Sequence, residues 1–371
     1  MARAWADVSL EAVGCNIERL RSLASPAALC AVVKADGYGH GAVPVARSAL
    51  DAGADWLAVA QVPEAARLRQ AGITAPTLLL SEPRPDEIEV AVASDIAITA
   101  YTAELVDQLD AVARRVGSTV SVHLKVDTGM HRVGVAPGLA VALAQRIDRA
   151  PALSLDAMWT HCAVADEPDD PFTAVQLQRF DAAVAAVEAA GLAVPFRHAA
   201  NSAAALAHPA SRYDLVRCGI AVYGIAPAPA LAGLAELRPA LRLATEVAMV
   251  KPVAAGEGVS YGLRHRFARD TLVATLPIGY ADGVFRGLGE RGQEVLVGGR
   301  RCPMVGVVTM DQVMVDLGPD SQVTRGDEVV LLGAQGDERV SPEEWAGRLG
   351  TIPYEVVCAI GARVERRYGN S

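Results

Sequence analysis

Short apolar runs alternate with Ala-, Glu- and Arg-rich segments from near the amino terminus to about Tyr223. The runs that predict strands are ALCAVVK, DWLAVAQ, PTLLLSE, DIAITAY, SVHLKVD, LSLDAMWTH, VPFRHAAN and DLVRCGIAVYG. Between them, segments such as VPEAARLRQAG and TAELVDQLDAVARRVG have apolar residues at helical spacing and end at glycine. Eight such units predict a (β/α)8 barrel, which the count favours over an open doubly wound sheet.

Beyond Pro227 the alternation stops and strand-like runs dominate. These runs are ATEVAMVKPV, TLVATLPIGYADG, QEVLVGG, VTMDQVMVDLG, DEVVLLG and YEVVCAIGARVERRYG. One helix is predicted from Ser341, where a capping box is combined with proline in the first turn. We therefore expect a TIM barrel over residues 1–230 and a mostly-β domain over 231–371, with the first strand (about residues 3–8) a candidate to join the second domain.

The chain uses arginine in place of lysine almost throughout. Of 34 basic residues only three are lysines: Lys34, Lys125 and Lys251. Because arginine cannot serve as a deprotonated amine, each remaining lysine is a candidate for amine chemistry. Lys34 and Lys125 both fall at predicted strand ends, on the barrel face where active sites lie. Lys251 lies outside the predicted barrel and is interpreted as structural or solvated.

Other polar residues follow the same strand ends. They are Tyr38, Asp127, Arg132, His161, Asn201, Ser202 and Arg217, with Gly219 and Ile220 beyond. A strand-end lysine that must lose its proton indicates a Schiff base with a carbonyl, either that of a substrate, as in an aldolase, or that of pyridoxal phosphate. Helix N-termini and glycine backbones suit a phosphate group.

Composition narrows the choice of partners and location. The net charge of −9 argues against nucleic acid or an acidic membrane surface. No apolar run reaches the length of a membrane span, and the amino terminus lacks the apolar core of a secretory signal. Six scattered cysteines without a CxxC pair fit reduced thiols rather than disulfides or a zinc site. We therefore expect a cytoplasmic protein that binds no metal.

Several motifs resemble those of alanine racemases. They are AVVKADGYGHG, HLKVDTGMHRVG, WTHCAVAD, HAANSAA, VRCGIAVYG, GVSYG, PIGYADG, MDQ and TIPYE, which occur in order along essentially the whole chain. The resemblance implies a pyridoxal phosphate enzyme that interconverts L- and D-alanine and supplies D-alanine for peptidoglycan. It also implies a homodimer of two-domain chains with shared active sites.

The same resemblance assigns roles to individual residues. Lys34 resembles the cofactor lysine and base for the D face of the substrate, and Tyr261 resembles the opposing base, contributed by the partner subunit. The implied cofactor contacts are Tyr38, His161, Asn201, Ser202, Arg217, Gly219, Ile220 and Tyr354, with Arg217 facing the pyridine nitrogen. Arg132, Met310, Asp311 and Tyr280 resemble substrate-site residues, and Lys125 lies where many members carry a carbamylated lysine. His161, next to Arg217, is the neighbour expected to lower the pKa of the tyrosine.

The sequence departs from the family pattern at two positions. Val307 stands where the family often has arginine, and His131 stands where a smaller residue is frequent.

The sequence leaves two rival functions open. One rival is a related pyridoxal phosphate decarboxylase, which typically uses a catalytic cysteine in its β domain; Cys302 and Cys358 lie there outside such a motif. The other is a non-catalytic pyridoxal phosphate carrier, which the second domain and Tyr261 argue against.

Overall fold

The computed structural model describes residues 4–369, which form two compact units. The first, called the barrel unit below, contains residues 12–37 and 42–238. The second, called the β unit, contains the described residues 4–11, 38–41 and 239–369. In this part of the chain, no helix combines the length and the apolar character that crossing a membrane requires.

The described strands and helices are as follows. The strands are β1 Ala4–Ser9, β2 Ala28–Val32, β3 Trp56–Val59, β4 Thr77–Leu79, β5 Ala97–Ala100, β6 Val120–Lys125, β7 Leu153–Trp159, β8 Phe196–His198, β9 Leu215–Cys218, β10 Leu241–Glu246, β11 Met249–Val253, β12 Gly258–Val259, β13 His265–Arg266, β14 Thr271–Leu276, β15 Glu294–Val297, β16 Arg300–Val305, β17 Val313–Gly318, β18 Glu328–Gln335, β19 Glu338–Val340 and β20 Glu365–Gly369. The helices are α1 Leu10–Ala24, α2 Lys34–Tyr38, α3 Ala42–Asp51, α4 Val62–Gln70, α5 Ile88–Ala93, α6 Ala103–Val116, α7 Ala140–Arg149, α8 Phe172–Ala189, α9 Ser202–Ala207, α10 Pro342–Leu349 and α11 Pro353–Cys358.

Strands β2 to β9 of the barrel unit form one parallel sheet in the order β8-β7-β6-β5-β4-β3-β2-β9. The two end strands approach each other, since the Asp214 amide donates to Arg197 O at 3.1 Å and the Arg217 amide donates to Ala200 O at 2.9 Å. The sheet is therefore a nearly closed (β/α)8 barrel. Each of the eight apolar runs predicted as strands contains all or most of a strand of this sheet, which confirms the predicted fold class.

The helices of the barrel unit follow from local sequence signals, as α6 illustrates. Its start is fixed by Thr102, whose hydroxyl accepts a hydrogen bond from the Leu105 amide at 3.3 Å. Its end is fixed by Gly117, which adopts the left-handed conformation with φ 72°. Leu105, Val106, Leu109 and Ala113 are buried, and this spacing places one apolar face of the helix toward the protein interior.

The β unit is built on a mixed sheet with the order β11-β14-β17-β16-β15-β18-β10-β1-β20, and β19 pairs with β18. Strand β1 pairs antiparallel with β10 and parallel with β20. Leu243, Leu276, Val295 and Trp345 are fully buried in its core. Helix α10 begins after Ser341, whose hydroxyl accepts from the Glu344 amide at 3.2 Å, as the capping pattern predicts.

The sequence prediction for the β unit is wrong in one run and misses several strands, of which β16 is the longest. The apolar residues of the run YEVVC predict a strand, but the run belongs to α11. Pro353 occupies the first turn of that helix, where its missing amide proton costs nothing, and Val356 and Val357 are buried in helical spacing with Ile360. Strand β16 was missed because its two arginines and its proline weaken the apolar pattern.

A glycine in the β unit gives a stability prediction. Gly39 has φ 79°, and a Cβ built on it would lie 2.4 Å from Val357 O. Gly72 of the barrel unit has the same φ of 79°, but a Cβ there would meet no atom within 4 Å. Both substitutions by alanine incur backbone strain of about 1 kcal/mol, and only Gly39→Ala adds a clash. We expect Gly39→Ala to lower the urea midpoint of unfolding clearly more than Gly72→Ala; equal midpoints would contradict this packing.

Candidate active site

Lys34 follows the first barrel strand and begins a turn with a left-handed backbone conformation. Residues 35–38 all have positive φ, between 51° and 63°. Successive left-handed residues are costly for L-amino acids, so this turn needs external support. The Ala35 amide donates to Glu64 Oε1 at 2.6 Å and the Ala42 amide donates to Asp36 Oδ1 at 3.0 Å. The backbone beside the lysine is thus held in a strained form by two carboxylates, as is frequent at functional sites.

Lys125 and Arg217 lie on the ring of a buried tryptophan. The Lys125 Nζ and the Arg217 Cζ are each 4.5 Å from the centroid of Trp159. Both cationic residues are only 3% exposed. Burial lowers the pKa of Lys125 to about 7, and the charges of Arg217, Arg132 and Lys34 add to the shift. Lys125 is therefore an amine with a large neutral fraction near neutral pH, whereas an ordinary lysine is protonated.

Arg217 has neutral hydrogen-bond partners. Its Nη2 donates to Thr160 O at 2.9 Å and to Ala199 O at 3.0 Å, and its Nη1 contacts His198 Nδ1 at 2.8 Å. Burial lowers its pKa to about 10, which leaves it charged at neutral pH. Carbonyl oxygens and an imidazole do not cancel the charge of a buried guanidinium, so Arg217 keeps a strong electrostatic effect on a ligand bound beside it.

His161 lies 3.3 Å from Arg217 Nη2 through its Nδ1. Burial and the charges of Arg217, Lys125, Arg132 and Lys34 hold the pKa of His161 well below its usual range. The imidazole is therefore neutral at physiological pH, and its Nδ1 accepts from the arginine while Nε2 carries the proton. The positive charge of this pair is on Arg217, and His161 can act on a neighbouring oxygen as a hydrogen-bond donor.

Two buried histidines extend this arrangement behind Arg217, and the sequence interpretation missed both. His198 Nε2 is 3.1 Å from His123 Nδ1, and burial lowers the pKa of both rings, that of His123 to about 4. Because Arg217 can only donate, His198 accepts at Nδ1 and donates from Nε2 to His123. A usable signal was present, since His123 lies two residues before Lys125 and strand side chains two apart share a face.

Ser202 and the segment Gly219–Ile220 lie together after the last two barrel strands. The Ser202 hydroxyl oxygen accepts from the Gly219 amide at 2.8 Å and lies 3.5 Å from the Ala221 amide nitrogen. Ile220 is fully buried and begins a short 3-10 turn. Asn201 is the cap of α9, since its Oδ1 accepts from the Ala204 amide at 2.9 Å. Because these two amides donate to the Ser202 oxygen, the hydroxyl keeps its own proton to donate, and a hydroxyl beside a turn of backbone amides is suited to an anion.

Arg132 lies on the exposed loop that follows β6. The base of this loop is tied by Asp127, whose Oδ1 accepts from the amides of Gly129 and His131 at 3.0 Å each. The His131 ring is exposed and pairs with the same carboxylate at 3.2 Å. His131 is therefore a loop-stabilising residue, and Arg132 is presented to solvent, where its charge helps to lower the pKa of Lys125 and of His161.

The remaining candidates lie in the β unit. Tyr261, Met310 and Tyr280 are exposed, the first of them by 73%. The Tyr280 amide donates to Thr309 O at 3.0 Å, and the Ala281 amide donates to Met310 O at 3.1 Å, so the loops of Tyr280 and Met310 are adjacent. Exposed aromatic and methionine side chains of this kind are typical of protein or ligand contact surfaces.

Asp311, Tyr38 and Tyr354 complete the candidates of the β unit. Asp311 Oδ1 accepts from Arg363 Nη2 at 2.7 Å, and the same guanidinium reaches Asp282 Oδ1 at 3.0 Å. The rings of Tyr38 and Tyr354 have centroids 6.2 Å apart and are tilted by 50°. Asp311 is thus part of an ion-pair group with Arg363, and the two tyrosines form an aromatic pair.

Comparisons with known proteins agree with the order of motifs along the chain. The family model of the alanine racemase N-terminal domain matches residues 8–227, and that of the alanine racemase C-terminal domain matches residues 240–368. The chain belongs to the alanine racemase family. The two matches together span both units described above, apart from their ends and a short segment between them.

Similarity to individual alanine racemases extends over their full length. The alanine racemase of Symbiobacterium thermophilum is 48% identical over 369 residues, covering 100% of this chain and 98% of the relative. The crystal structure of an alanine racemase from a D-cycloserine-producing Streptomyces lavendulae has a TM-score of 0.95 at 40% identity, covering 100% of this chain and 98% of that one. The Bacillus anthracis alanine racemase with bound L-Ala-P has a TM-score of 0.93 at 40% identity, with coverages of 99% and 95%.

Val307, the departure from the alanine racemase pattern, is 1% exposed. Its carbonyl oxygen accepts from the Ser260 hydroxyl at 2.7 Å. An apolar side chain is compatible with this burial, and the contact that the residue makes to the Tyr261 segment uses the backbone.

Proposed function

We propose that this chain is a pyridoxal phosphate-dependent alanine racemase that interconverts L- and D-alanine with two bases on opposite faces of the substrate. The observation that carries the proposal is the group formed by the buried Lys125 and Arg217 and the half-buried His161, whose electrostatics include Lys34, in a chain that belongs to the alanine racemase family. The product, D-alanine, would be supplied to peptidoglycan from the cytoplasm.

The residues of the barrel unit suit the proposed cofactor. Lys34 can bind an aldehyde, and the Ser202 hydroxyl with the backbone of Gly219 and Ile220 can bind a phosphate group. Arg217 can face a ring nitrogen as a charged donor, since none of its protein partners is acidic. On the family resemblance we also assign Asn201 and His161 to the cofactor site, and Tyr38 and Tyr354 to the phosphate. When bound, pyridoxal phosphate supplies a conjugated ring that stabilises negative charge at the substrate Cα.

Proton movement at Cα needs one base on each face. Lys34 holds or removes the proton on the D face, and Tyr261 of a second copy of the chain does so on the L face. A pair of fixed bases avoids moving one group from face to face, and each positioned acid/base group contributes about 10²–10⁴-fold. The neutral His161, which carries its proton on Nε2, is suited to stabilise the phenolate form of that tyrosine.

Arg217 would favour racemisation over transamination, which also begins with removal of the proton from Cα. With a pKa of about 10 it remains protonated at neutral pH and donates a hydrogen bond rather than a proton. Arg217 would thus face the ring nitrogen without protonating it, which would leave more negative charge at Cα and favour return of the proton there. Arg132 would bind the substrate carboxylate, and Met310, Asp311 and Tyr280 of the second copy would close the substrate site.

We propose that Lys125 is carbamylated, and this modification can be tested directly. Because its pKa is about 7, the amine is largely neutral at about pH 8 and can attack CO₂, forming an N–C bond and releasing one proton. The resulting anion would neutralise the surrounding cations and orient Arg132. We expect a carbamate resonance in the carbon NMR spectrum of protein equilibrated with ¹³C-bicarbonate, and its loss in Lys125→Arg. Lys251→Arg is the matched control, and a signal that survives in Lys125→Arg would exclude this site.

An amino-acid panel tests the proposed function against its rivals. Purified protein with added cofactor should convert L-alanine to D-alanine and the reverse. A decarboxylase would release CO₂ from a basic or branched amino acid, and a carrier would do neither. Cys302 argues against the first rival, since it is buried and burial raises the pKa of its thiol. Absence of enantiomer exchange with alanine would overturn the proposal.

A further inference from the structure

The segment that carries Tyr261 has a backbone conformation that L-residues rarely adopt. Ser260 has φ 63° and ψ −175°, a region essentially restricted to glycine. Gly262 and Leu263 follow with φ values of 76° and 47°. Such strain persists only where the surroundings fix it, and it is concentrated at functional sites.

Contacts with residues 306 and 307 hold this turn in place. The Ser260 hydroxyl donates to Val307 O at 2.7 Å, and the turn is closed by the Leu263 amide, which donates to Ser260 O at 3.1 Å. A Cβ built on Gly306 would lie only 2.8 Å from Ser260 Cβ and 3.0 Å from the carbonyl oxygen of Val259. The turn is therefore packed directly against the backbone of Gly306, and the Ser260 hydroxyl is bonded to the residue that follows this glycine, Val307.

The flanks of the turn are also anchored. Val259 pairs with His265 in the β12–β13 hairpin and packs against an apolar cluster that includes Phe267. Arg264 Nη1 is bonded to Glu290 Oε1 at 2.8 Å. These contacts restrain the strand before the turn and the residue after it, while the Ser260 hydroxyl is the anchor adjacent to Tyr261 in the chain.

We propose that Ser260 is a positioning residue for Tyr261, an inference that rests on the proposed function. Tyr261 is 73% exposed in its own chain, so before it meets a partner its direction is set by the backbone of the turn and not by packing around the ring. A base must reach the proton within hydrogen-bond distance, and a misplacement of about 1 Å can cost about 10²-fold. The anchor is a backbone carbonyl, so it does not require the arginine side chain that the family often has at position 307.

Hydrogen exchange at the substrate Cα distinguishes this role from a general structural role. The enantiomers have equal free energies, so racemisation rates in the two directions cannot separate the two bases. The initial loss of the α-hydrogen in D₂O can separate them, because Tyr261 acts on L-alanine and Lys34 acts on D-alanine. We expect Ser260→Ala, which keeps the strain but removes the anchor, to slow exchange from L-alanine about tenfold more than exchange from D-alanine. Ser260→Gly, which relieves the strain and frees the turn, should show at least the same asymmetry.

Ser94→Ala is the matched control. Its hydroxyl also donates to a backbone carbonyl at 2.7 Å, that of Val90, in the barrel unit. This variant should leave the ratio of the two exchange rates unchanged. If Tyr261→Phe is selective for L-alanine but both Ser260 variants slow the two enantiomers equally, or slow neither, the role of Ser260 is overturned and the proposed function stands. If Tyr261→Phe is itself unselective, the two-base assignment is overturned and the role of Ser260 with it.

Discussion

Lys34→Ala is expected to abolish the visible absorbance of the bound cofactor and to lower racemase activity by about 10⁴-fold, the upper end for a positioned acid/base group. The variant removes the amine that is proposed both to bind the cofactor aldehyde and to move the proton on the D face. Lys125 is a neighbouring amine, and its own pKa is lowered, so it is the residue most able to replace Lys34. Absorbance spectra and D-alanine formation measure the two losses separately.

Lys251→Ala is the control for this experiment. It removes the one other lysine of the chain, which lies on β11 of the β unit and is exposed. Absorbance and activity should both remain close to those of the unmodified protein. Borohydride reduction followed by peptide mass analysis then locates the cofactor, and a reduced adduct at Lys125 or Lys251 in the unmodified protein would contradict the assignment of Lys34.

Tyr261→Phe is expected to slow α-hydrogen exchange from L-alanine by about 10²–10⁴-fold while exchange from D-alanine continues. The variant keeps the ring and removes only the oxygen that is proposed to act on the L face. Exchange from D-alanine needs only Lys34, which can return a solvent deuteron to the same face. The loss of the α-proton NMR signal of each enantiomer in D₂O measures both rates.

Tyr213→Phe is the matched control, since it also removes one phenol oxygen. Tyr213 precedes β9 at the amino end of the barrel, and its hydroxyl bonds Asp181 at 2.8 Å. This variant should leave both exchange rates unchanged. Equal slowing of the two enantiomers by Tyr261→Phe would indicate a general role for the tyrosine, such as cofactor binding, and not a base on one face.

The barrel could be predicted from the sequence because it depends on local signals, and composition alone was enough to propose two of its lysines as candidate amines. Strand alternation and glycine stops gave the eight units, and the scarcity of lysine singled out Lys34 and Lys125. The family motifs added residues that composition alone could not indicate, such as Tyr261 in an exposed turn. Prediction failed at YEVVC, where β-branched residues suggested a strand but burial and a first-turn proline favour a helix.

The supporting arrangement around the site could not be predicted, because it depends on contacts between distant segments. Glu64 bonds the Ala35 amide only because β2 and β3 are neighbours in the sheet. The left-handed turn it supports has no glycine at its first two positions, so nothing local indicates its hand. In the same way, the neutral state of His161 follows from burial beside Arg217, which brings together two residues that are 56 positions apart.

The central claim is that Lys34 of one chain and Tyr261 of another act on the same carbon atom. Lys34→Ala and Tyr261→Phe chains, co-expressed with different tags, can be purified as a mixed dimer. In a twofold dimer one site would then combine both intact residues and the other would lack both, so we predict about half of the wild-type racemase activity. A mixed dimer that is no more active than the two inactive parents would contradict the account.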